Sequence, residues 1–264
     1  ATVIETFTED GDGILITPPV YPPFFQVPKL MERTIVECVM IEKERNYSID
    51  FVEFEKALQQ NVKLFILCNP HNPGGIVWTE EELLKMIELC AKYDVFILSD
   101  EIHADLVFPE HRHIALASIA GDEVHRIITC VAPTKTFNLA GVQAAIMIAT
   151  DHEVRSKLEQ NALAHGQMSL SPFAAAAVKS AYTQGGPWLS ELLEIISANM
   201  DYVITELEEA LPSIKINKPH GTYLLWIDYR KTGLYEKDMM DRLPYTGQIA
   251  LEHGQKKGEA GNGT

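Results

Sequence analysis

Short apolar runs of strand length recur along the chain, and they constrain its fold more than any other feature. Continuous apolar runs bounded by turn residues are typical of strands covered on both faces. The runs are ILIT (14–17), KLFILC (63–68), VFILS (95–99), RIITCV (126–131) and AAIMIA (144–149). Together with the helical segments between them, they predict an α/β fold with a mostly parallel sheet and helices on both faces.

The segment between the second and third runs, TEEELLKMIELCAKY, predicts a helix. Thr79 and Glu82 form a T-x-x-E capping box at its start, and four apolar residues are expected on one helical face: Leu83, Leu84, Ile87 and Cys90. A strand, a helix and a strand in this order predict a right-handed crossover between two parallel strands.

The sequence pattern changes from Asp151 onward, where three helical segments follow one another. Pro172 and Pro187 stand at positions typical of a helix first turn. IKIN and TYLLWIDY, after the last helix, predict strands of a smaller α+β unit. We therefore expect a large cofactor-binding domain over 1–186, and a long connecting helix with a partial small domain over 187–264.

Charge and composition exclude several classes of partner. The net charge is −15, with 37 acidic and 22 basic residues, which argues against nucleic acid. No apolar stretch approaches the roughly 20 residues of a membrane span, and the first residues do not form a signal peptide. The chain begins without Met, and we expect it to be part of a longer polypeptide.

The cysteines favour a reducing compartment. Cys38, Cys68, Cys90 and Cys130 show no C-x-x-C spacing, and those in apolar runs are typical of buried thiols. The sequence therefore predicts a cytoplasmic protein and no metal site.

Polar or aromatic side chains follow four of the predicted strands. Tyr21 comes after the first run, Asn72 after the second, Asp100 and His103 after the third, and Lys135 after the fourth. In open α/β sheets, ligands bind beyond the carboxyl ends of the strands. The sequence thus predicts a single site at this edge.

Each of these side chains also has an ordinary explanation when it is taken alone. NPHNPGG (69–75) is typical of a turn, and Asp100 could cap a helix. His103 could be a satisfied loop or core histidine, and Tyr21 a packing residue. A lone lysine such as Lys135 is usually a solvated charge. It is the convergence of these residues that favours a functional site.

Three motifs in this order carry a family resemblance: NPHNPGG, SDEIHADLVF and APTKTFNLAGVQ. They resemble the fold-type I pyridoxal-phosphate enzymes of the class I/II aminotransferase superfamily, over essentially the whole chain. More narrowly, they are similar to the MalY/PatB branch of cystathionine β-lyase-like C–S lyases. The resemblance places the family's glycine-rich phosphate turn just before residue 1 and its substrate-carboxylate arginine shortly after Thr264.

The resemblance implies a chemical role for two residues. Lys135 would hold the aldehyde of pyridoxal 5′-phosphate as a Schiff base, and its amine, once released, would remove the Cα proton of the substrate. Asp100 would pair with the protonated pyridine nitrogen, which must keep its proton to withdraw electrons.

The resemblance implies further contacts to the cofactor. Asn72 and His103 would donate to its phenolic oxygen, where aminotransferases commonly have a tyrosine in place of His103. Tyr21 would stack on the pyridine ring, and the hydroxyl of Thr134 could reach the phosphate.

Two positions depart from the family pattern. Gln143 stands where many relatives carry an arginine that contacts the phosphate, and Ala132 replaces a serine common in the phosphate loop. Either fewer charges hold the phosphate, or the missing charge comes from elsewhere in the chain.

The resemblance favours C–S β-elimination of L-cystathionine or cysteine S-conjugates, giving pyruvate, ammonia and a thiol. A class I/II aminotransferase is the alternative, because both reactions begin with removal of the Cα proton. A non-catalytic regulatory binding module is a further alternative. The family likeness also implies a homodimer acting on a small amino-acid substrate. No GxGxxG or GxxxxGK[ST] motif supports nucleotide binding.

Overall fold

The computed structural model describes residues 1–43, 46–167, 169–233 and 242–264. The strands are β1 (Gly13–Ile16), β2 (Thr34–Glu37), β3 (Ile41–Lys43), β4 (Asn46–Ser48), β5 (Val62–Cys68), β6 (Phe96–Asp100), β7 (Ile127–Val131), β8 (Ile146–Ile148), β9 (Lys215–Asn217) and β10 (Trp226–Asp228). The α-helices are α1 (Thr2–Phe7), α2 (Pro23–Leu30), α3 (Phe51–Leu58), α4 (Glu80–Lys92), α5 (Leu116–Ile119), α6 (Pro133–Thr136), α7 (His152–Ala164), α8 (Pro172–Gln184) and α9 (Gly186–Ala210). Short segments of 3₁₀ or π-helix lie at Gly121–Arg126, Ala140–Val142, Leu243–Gly247, Gly254–Lys257 and Glu259–Gly261.

A six-stranded sheet forms the centre of the molecule, in the order β2-β1-β5-β6-β7-β8. Its neighbouring strands are parallel except β7 and β8, which are antiparallel. The predicted mostly parallel sheet is therefore confirmed. The parallel pair across α4 is also confirmed, since β5 and β6 pair in register from Leu64 with Phe96 to Cys68 with Asp100.

Helices cover the sheet on both faces, as the sequence predicts. Alternate side chains of β1 and β5 enter two separate cores, because successive residues of a strand point to opposite faces. On one face, Leu15, Phe65 and Leu67 pack with residues of α3 and α4. On the other face, the same strands contribute to a core that includes residues of α1, α2 and α7.

The predicted helix starts are confirmed. The Thr79 hydroxyl accepts from the Glu82 N–H at 3.3 Å, and the Glu82 carboxylate accepts from the Thr79 N–H at 2.9 Å, which completes the capping box of α4. Pro172 and Pro187 lie in the first turns of α8 and α9.

The prediction that all the apolar runs are covered on both faces is wrong for β8. Ile146, Met147 and Ile148 are 39%, 40% and 46% exposed. The reason is that β8 is an edge strand of the sheet, paired with β7 alone among the described residues. An apolar pattern cannot distinguish a central strand from an edge strand.

The last part of the described chain contains a smaller antiparallel pair, β9 with β10. A third cluster built around Ile214, Ile216 and Tyr229 packs this pair against α9. The strand predicted over TYLLWIDY is shorter than expected, because Thr222 has a φ of 71° and its N–H donates to Leu106 O instead. Residues 234–241 of the predicted small domain lie outside the described residues.

Within the described ranges, no helix combines the length and hydrophobicity needed to cross a membrane.

Candidate active site

Asp100 lies at the centre of the carboxyl edge of the sheet. As the last residue of β6, it pairs in register with Cys68 of β5 on one side and Cys130 of β7 on the other. Its carbonyl accepts from Asn69 N at 3.0 Å, and Glu101 N donates to Cys130 O at 2.8 Å. The segments that follow β5, β6 and β7 therefore begin side by side.

The carboxyl group of Asp100 is held in an environment that opposes its ionisation. Burial raises its pKa to about 6, although the Ile102 N–H and the charge of Lys135 act in the opposite direction. The Ile102 N–H is 3.4 Å from Oδ1. The alternative that Asp100 caps a helix is wrong, since the residues after it form turns.

His103 is a buried imidazole with an unused ring nitrogen. Its Nδ1 has no hydrogen-bond partner among the described residues. Burial, together with the charge of Lys135, lowers its pKa to about 4. The imidazole is therefore neutral at pH 7. The ring of Tyr223 lies edge-on to it, with centroids 5.7 Å apart.

Lys135 lies in α6, which begins two residues after β7 ends. It is half-buried, and its charge affects the pKa of both Asp100 and His103. These three predicted residues are therefore brought together. Thr134 precedes Lys135 in the same turn and is half-buried. The Thr136 hydroxyl donates to Asp105 at 3.0 Å and ties this turn to the segment after β6.

Asn72 lies in the loop that follows β5. Its N–H donates to the Cys68 sulfur at 3.3 Å, and its side-chain Oδ1 is buried without a partner among the described residues. A hydrogen bond of 2.8 Å from Gly75 N to His71 O closes the loop. Asn72 therefore presents an unsatisfied amide at the same edge as Asp100.

Tyr21 lies beyond β1, on the other side of β5. It is half-buried and contacts Phe24 edge-on at a centroid distance of 6.0 Å. The ammonium of Lys257 lies 5.5 Å from the centre of its ring. The charges of both Lys257 and Asp100 affect the pKa of Cys68, so Tyr21 and Lys257 border the same region.

Sequence reasoning missed Tyr223 and Lys257, which belong to this region by contact. Tyr223 follows the NKPHG turn, which the sequence indicated only as part of a smaller unit. Lys257 stands in a glycine-rich stretch without regular periodicity. The sequence signal for Tyr223 was an aromatic residue two positions after Gly221, at the end of a turn. No sequence signal pointed to Lys257.

Comparison with known proteins identifies the family. The family model described as aminotransferase class I and II matches residues 1–256. The cystathionine beta-lyase PatB of Bacillus subtilis is 41% identical over 98% of this chain and 67% of its own length. Protein MalY of Escherichia coli is 31% identical over 99% of this chain and 67% of its own length.

A solved structure agrees with these relatives. Cystalysin from Treponema denticola, whose crystal structure contains pyridoxal 5′-phosphate, superposes with a TM-score of 0.96 at 36% identity, over 99% of this chain and 67% of that one. The chain spans about two thirds of the length of the relatives it matches. The resemblance inferred from the motifs is confirmed: the chain belongs to the aminotransferase class I and II family, a family of pyridoxal-phosphate-dependent enzymes.

Proposed function

We propose that this chain is the greater part of a carbon–sulfur β-lyase that uses pyridoxal 5′-phosphate. Its substrates are L-cystathionine or cysteine S-conjugates, and its products are pyruvate, ammonia and a thiol. The observation that carries the proposal is the convergence of a half-buried carboxyl group, a buried imidazole and an ammonium group at one sheet edge. The identity to PatB supports the lyase branch.

The unsatisfied polar groups of this edge fit the cofactor. The half-buried carboxyl of Asp100 has no cationic hydrogen-bond partner among the described residues, and a protonated ring nitrogen would supply one. Asn72 and His103 each have a buried polar atom without a partner in the same part of the structure. Such atoms are costly unless a ligand or water satisfies them. We assign the amide Nδ2 of Asn72 and a ring N–H of His103 as donors to the phenolic oxygen of the cofactor, since an amide oxygen only accepts.

The remaining assignments follow from position. The half-buried ring of Tyr21 offers a flat apolar surface for the pyridine ring. Thr134, in the first turn of α6, offers a hydroxyl to the phosphate. Gln143 is exposed and has a φ of 50°, so we assign it no contact with the phosphate.

Lys135 is the proposed catalytic residue. Pyridoxal phosphate, when bound, withdraws electrons from the Cα of an amino acid and makes its proton acidic. The Lys135 amine, half-buried at the same sheet edge as Asp100 and His103, would be the base that removes that proton. Asp100 keeps the ring nitrogen protonated by ion pairing. His103, neutral at pH 7, can donate one hydrogen bond without adding charge.

Assay of the complete polypeptide distinguishes the lyase from an aminotransferase. We expect pyruvate, ammonia and a thiol to appear from L-cystathionine when no oxo acid is present. An aminotransferase would instead require an oxo-acid acceptor and would release no thiol, and that result would exclude the proposal.

Absorbance separates an enzyme from a non-catalytic binding module. After incubation with pyridoxal phosphate, the wild-type protein should be yellow, and Lys135→Ala should lose the absorption band of the lysine-bound cofactor. Lys179→Ala, in the exposed part of α8, is the control and should keep the band. A colourless wild-type protein would favour the binding module.

The proposal extends to assembly and location. We propose a homodimer, and the exposed large hydrophobic side chains of α8 and α9 support it: Phe173, Tyr182, Trp188, Ile195 and Tyr202. Residues 1–186 form the proposed cofactor-binding domain, and 187–264 the connecting helix and part of a small domain. The free cysteines among the described residues suit a cytoplasmic enzyme.

A further inference from the structure

Lys257 is a buried lysine that borders the candidate active site. Only 4% of its side chain is exposed, although lysine is almost never fully buried unless it is paired. Its ammonium lies 3.0 Å from Glu252 Oε2 and 5.5 Å from the centre of the Tyr21 ring. The second distance is within the range of a cation–π contact. The ammonium therefore lies between a carboxylate and a ring of the site.

Main-chain contacts, rather than the side chain, hold Lys257 in place. The Val20 N–H donates to Lys257 O at 2.9 Å, and Gly254 N–H donates to Thr264 O at 2.9 Å, which closes the segment. Gly258, with a φ of 113°, lies so close to Pro18 and Phe25 that a Cβ would be 3.1 Å from each. Replacing the Lys257 side chain should therefore leave this segment docked on the residues after β1.

The positive charge of Lys257 affects a thiol at the sheet edge of the site, that of Cys68. Burial raises the pKa of the Cys68 thiol, and the charge of Asp100 adds to this, whereas Lys257 acts in the opposite direction. Glu252, the carboxylate partner of Lys257, has 55% of its side chain exposed. The ion pair thus joins a buried ammonium at the site to a carboxylate that reaches solvent.

We propose that Lys257 binds a carboxylate at the sulfur-borne end of the substrate. Glu252 is placed to receive the ammonium when that end is an amino acid, as it is in L-cystathionine. This assignment rests on the proposed lyase function and narrows its substrates to cysteine S-conjugates that end in a carboxylate. A lysine buried beside a half-exposed carboxylate can exchange that partner for a ligand carboxylate without becoming an unpaired buried charge.

Two conjugates of similar size test this assignment in the complete polypeptide with cofactor. S-(2-Carboxyethyl)-L-cysteine carries the carboxylate, and S-propyl-L-cysteine lacks it. We expect Lys257→Met to lower the ratio of their kcat/KM values about 10- to 100-fold, the loss expected for one charged hydrogen bond. Lys257→Arg should retain most of the preference, and Lys256→Met, at the exposed neighbouring lysine, should leave the ratio unchanged.

Other outcomes would overturn the assignment. Equal losses for both conjugates in Lys257→Met would show that Lys257 acts on a feature common to all substrates. A tenfold weaker affinity for pyridoxal phosphate, measured by absorbance titration, would show that the ammonium binds the phosphate. An unchanged ratio would show that it binds neither group.

Binding measurements keep this test separate from the proposed reaction. Dissociation constants for both conjugates can be read from changes in cofactor absorbance, whether or not a thiol is released. If no conjugate yields pyruvate, the lyase proposal fails. The ratio of dissociation constants then still decides whether Lys257 recognises the carboxylate.

Discussion

The ionised carboxyl of Asp100 destabilises the cofactor-free protein, whereas in the proposed holoenzyme it would strengthen binding of the cofactor. Its ordinary pKa is 3.8, and burial raises it to about 6 in the folded protein. Because the folded-state pKa is raised, the ionised carboxyl opposes folding. That cost is absent below about pH 4, grows as the pH rises toward 6, and is complete above it. A cationic ring nitrogen would reverse the cost by pairing with the carboxylate.

Cofactor affinity should therefore depend on pH through Asp100. Binding of a protonated ring nitrogen favours the ionised carboxyl, so affinity should fall below about pH 6 by up to about tenfold per pH unit. Absorbance titrations with pyridoxal phosphate between pH 5 and 8 measure this. Asp100→Asn should bind roughly 100-fold more weakly at pH 7.5, because the ring cation loses its partner. An affinity independent of pH below 6 in wild type would contradict the assignment.

The same substitution should stabilise the cofactor-free protein. Asp100→Asn removes the ionised carboxyl, so the free energy of unfolding at pH 7 should rise by about 1–3 kcal/mol, in line with the direction and size of the pKa shift. Urea unfolding of the cofactor-free protein at pH 7 and pH 4.5 checks this, since the gain should shrink at the lower pH. An equal change at both pH values would mean that the effect does not come from ionisation.

At the scale of elements, Glu101 joins the end of β6 to α5. Its buried carboxylate accepts from Ser99 Oγ at 2.8 Å and Leu116 N at 3.1 Å, and it lies 2.8 Å from His113 Nε2. Leu116 is the first residue of α5. Glu101 therefore fixes the segment that carries His103 at both of its ends.

Glu101→Ala should destabilise the protein strongly. The substitution leaves several buried groups without an acceptor, so the free energy of unfolding should fall by about 2–4 kcal/mol. Glu101→Gln, which keeps one acceptor oxygen, should lower the free energy of unfolding by less. Chemical denaturation measures both, with Glu110→Ala at an exposed position of the same segment as the control. Similar losses for Glu101→Ala and Glu110→Ala would rule out this role.

The loop that carries Asn72 depends on a turn from the last part of the chain. Gly75 has a φ of 64°, and a Cβ there would lie 2.2 Å from Pro219 Cβ. His220 N–H donates to Gly75 O at 2.8 Å. The close approach of these two turns requires a glycine at this position.

Substitution of Gly75 tests this contact. Gly121→Ala is the matched control, because Gly121 has a φ of 54° but no atom within 4 Å of its Cβ position. We expect Gly121→Ala to cost about 1 kcal/mol from the left-handed backbone alone, and Gly75→Ala at least about twice that. Thermal unfolding of both variants makes the comparison. Equal losses would mean that contact with Pro219 contributes nothing.

At the scale of the whole molecule, the apolar runs predicted the fold class. Strands that are covered by helices on both faces are continuously apolar, and such runs are visible in the sequence. The capping box of Thr79 and Glu82 predicted the start of α4 for a similarly local reason. The sequence reasoning missed β2, the β3–β4 hairpin and α1–α3, which are short and mix exposed with buried residues. Their structure depends on packing against the sheet, which local pattern does not record.

The site was predictable to the extent that it follows from strand order. Asp100 ends β6, and His103 and Lys135 follow shortly after the ends of β6 and β7, so the parallel pairing of these strands brings the three together. Lys257 and Tyr223 reach the same region through turns far along the chain. Their contacts with Tyr21 and His103 join residues widely separated in sequence, and no local pattern predicts such a pairing.

The assembly of the complete protein can be measured directly. Sedimentation of the holoenzyme should give twice the mass of one polypeptide, since exposed apolar side chains on α8 and α9 favour a partner. Tyr202→Glu, on the exposed face of α9, should weaken that association, whereas Glu208→Gln should not. A monomeric holoenzyme would exclude the proposed homodimer.

The contact between Tyr21 and Lys257 also bears on how the enzyme matures in the cell. Tyr21 emerges from the ribosome long before Lys257, yet the two border one site. The sheet can form while synthesis continues, but the region around the Tyr21 ring cannot close until the segment with Gly254 and Lys257 has been released and docked. Nascent chains arrested before this segment should therefore leave the Tyr21 ring more exposed to solvent than it is in the finished fold.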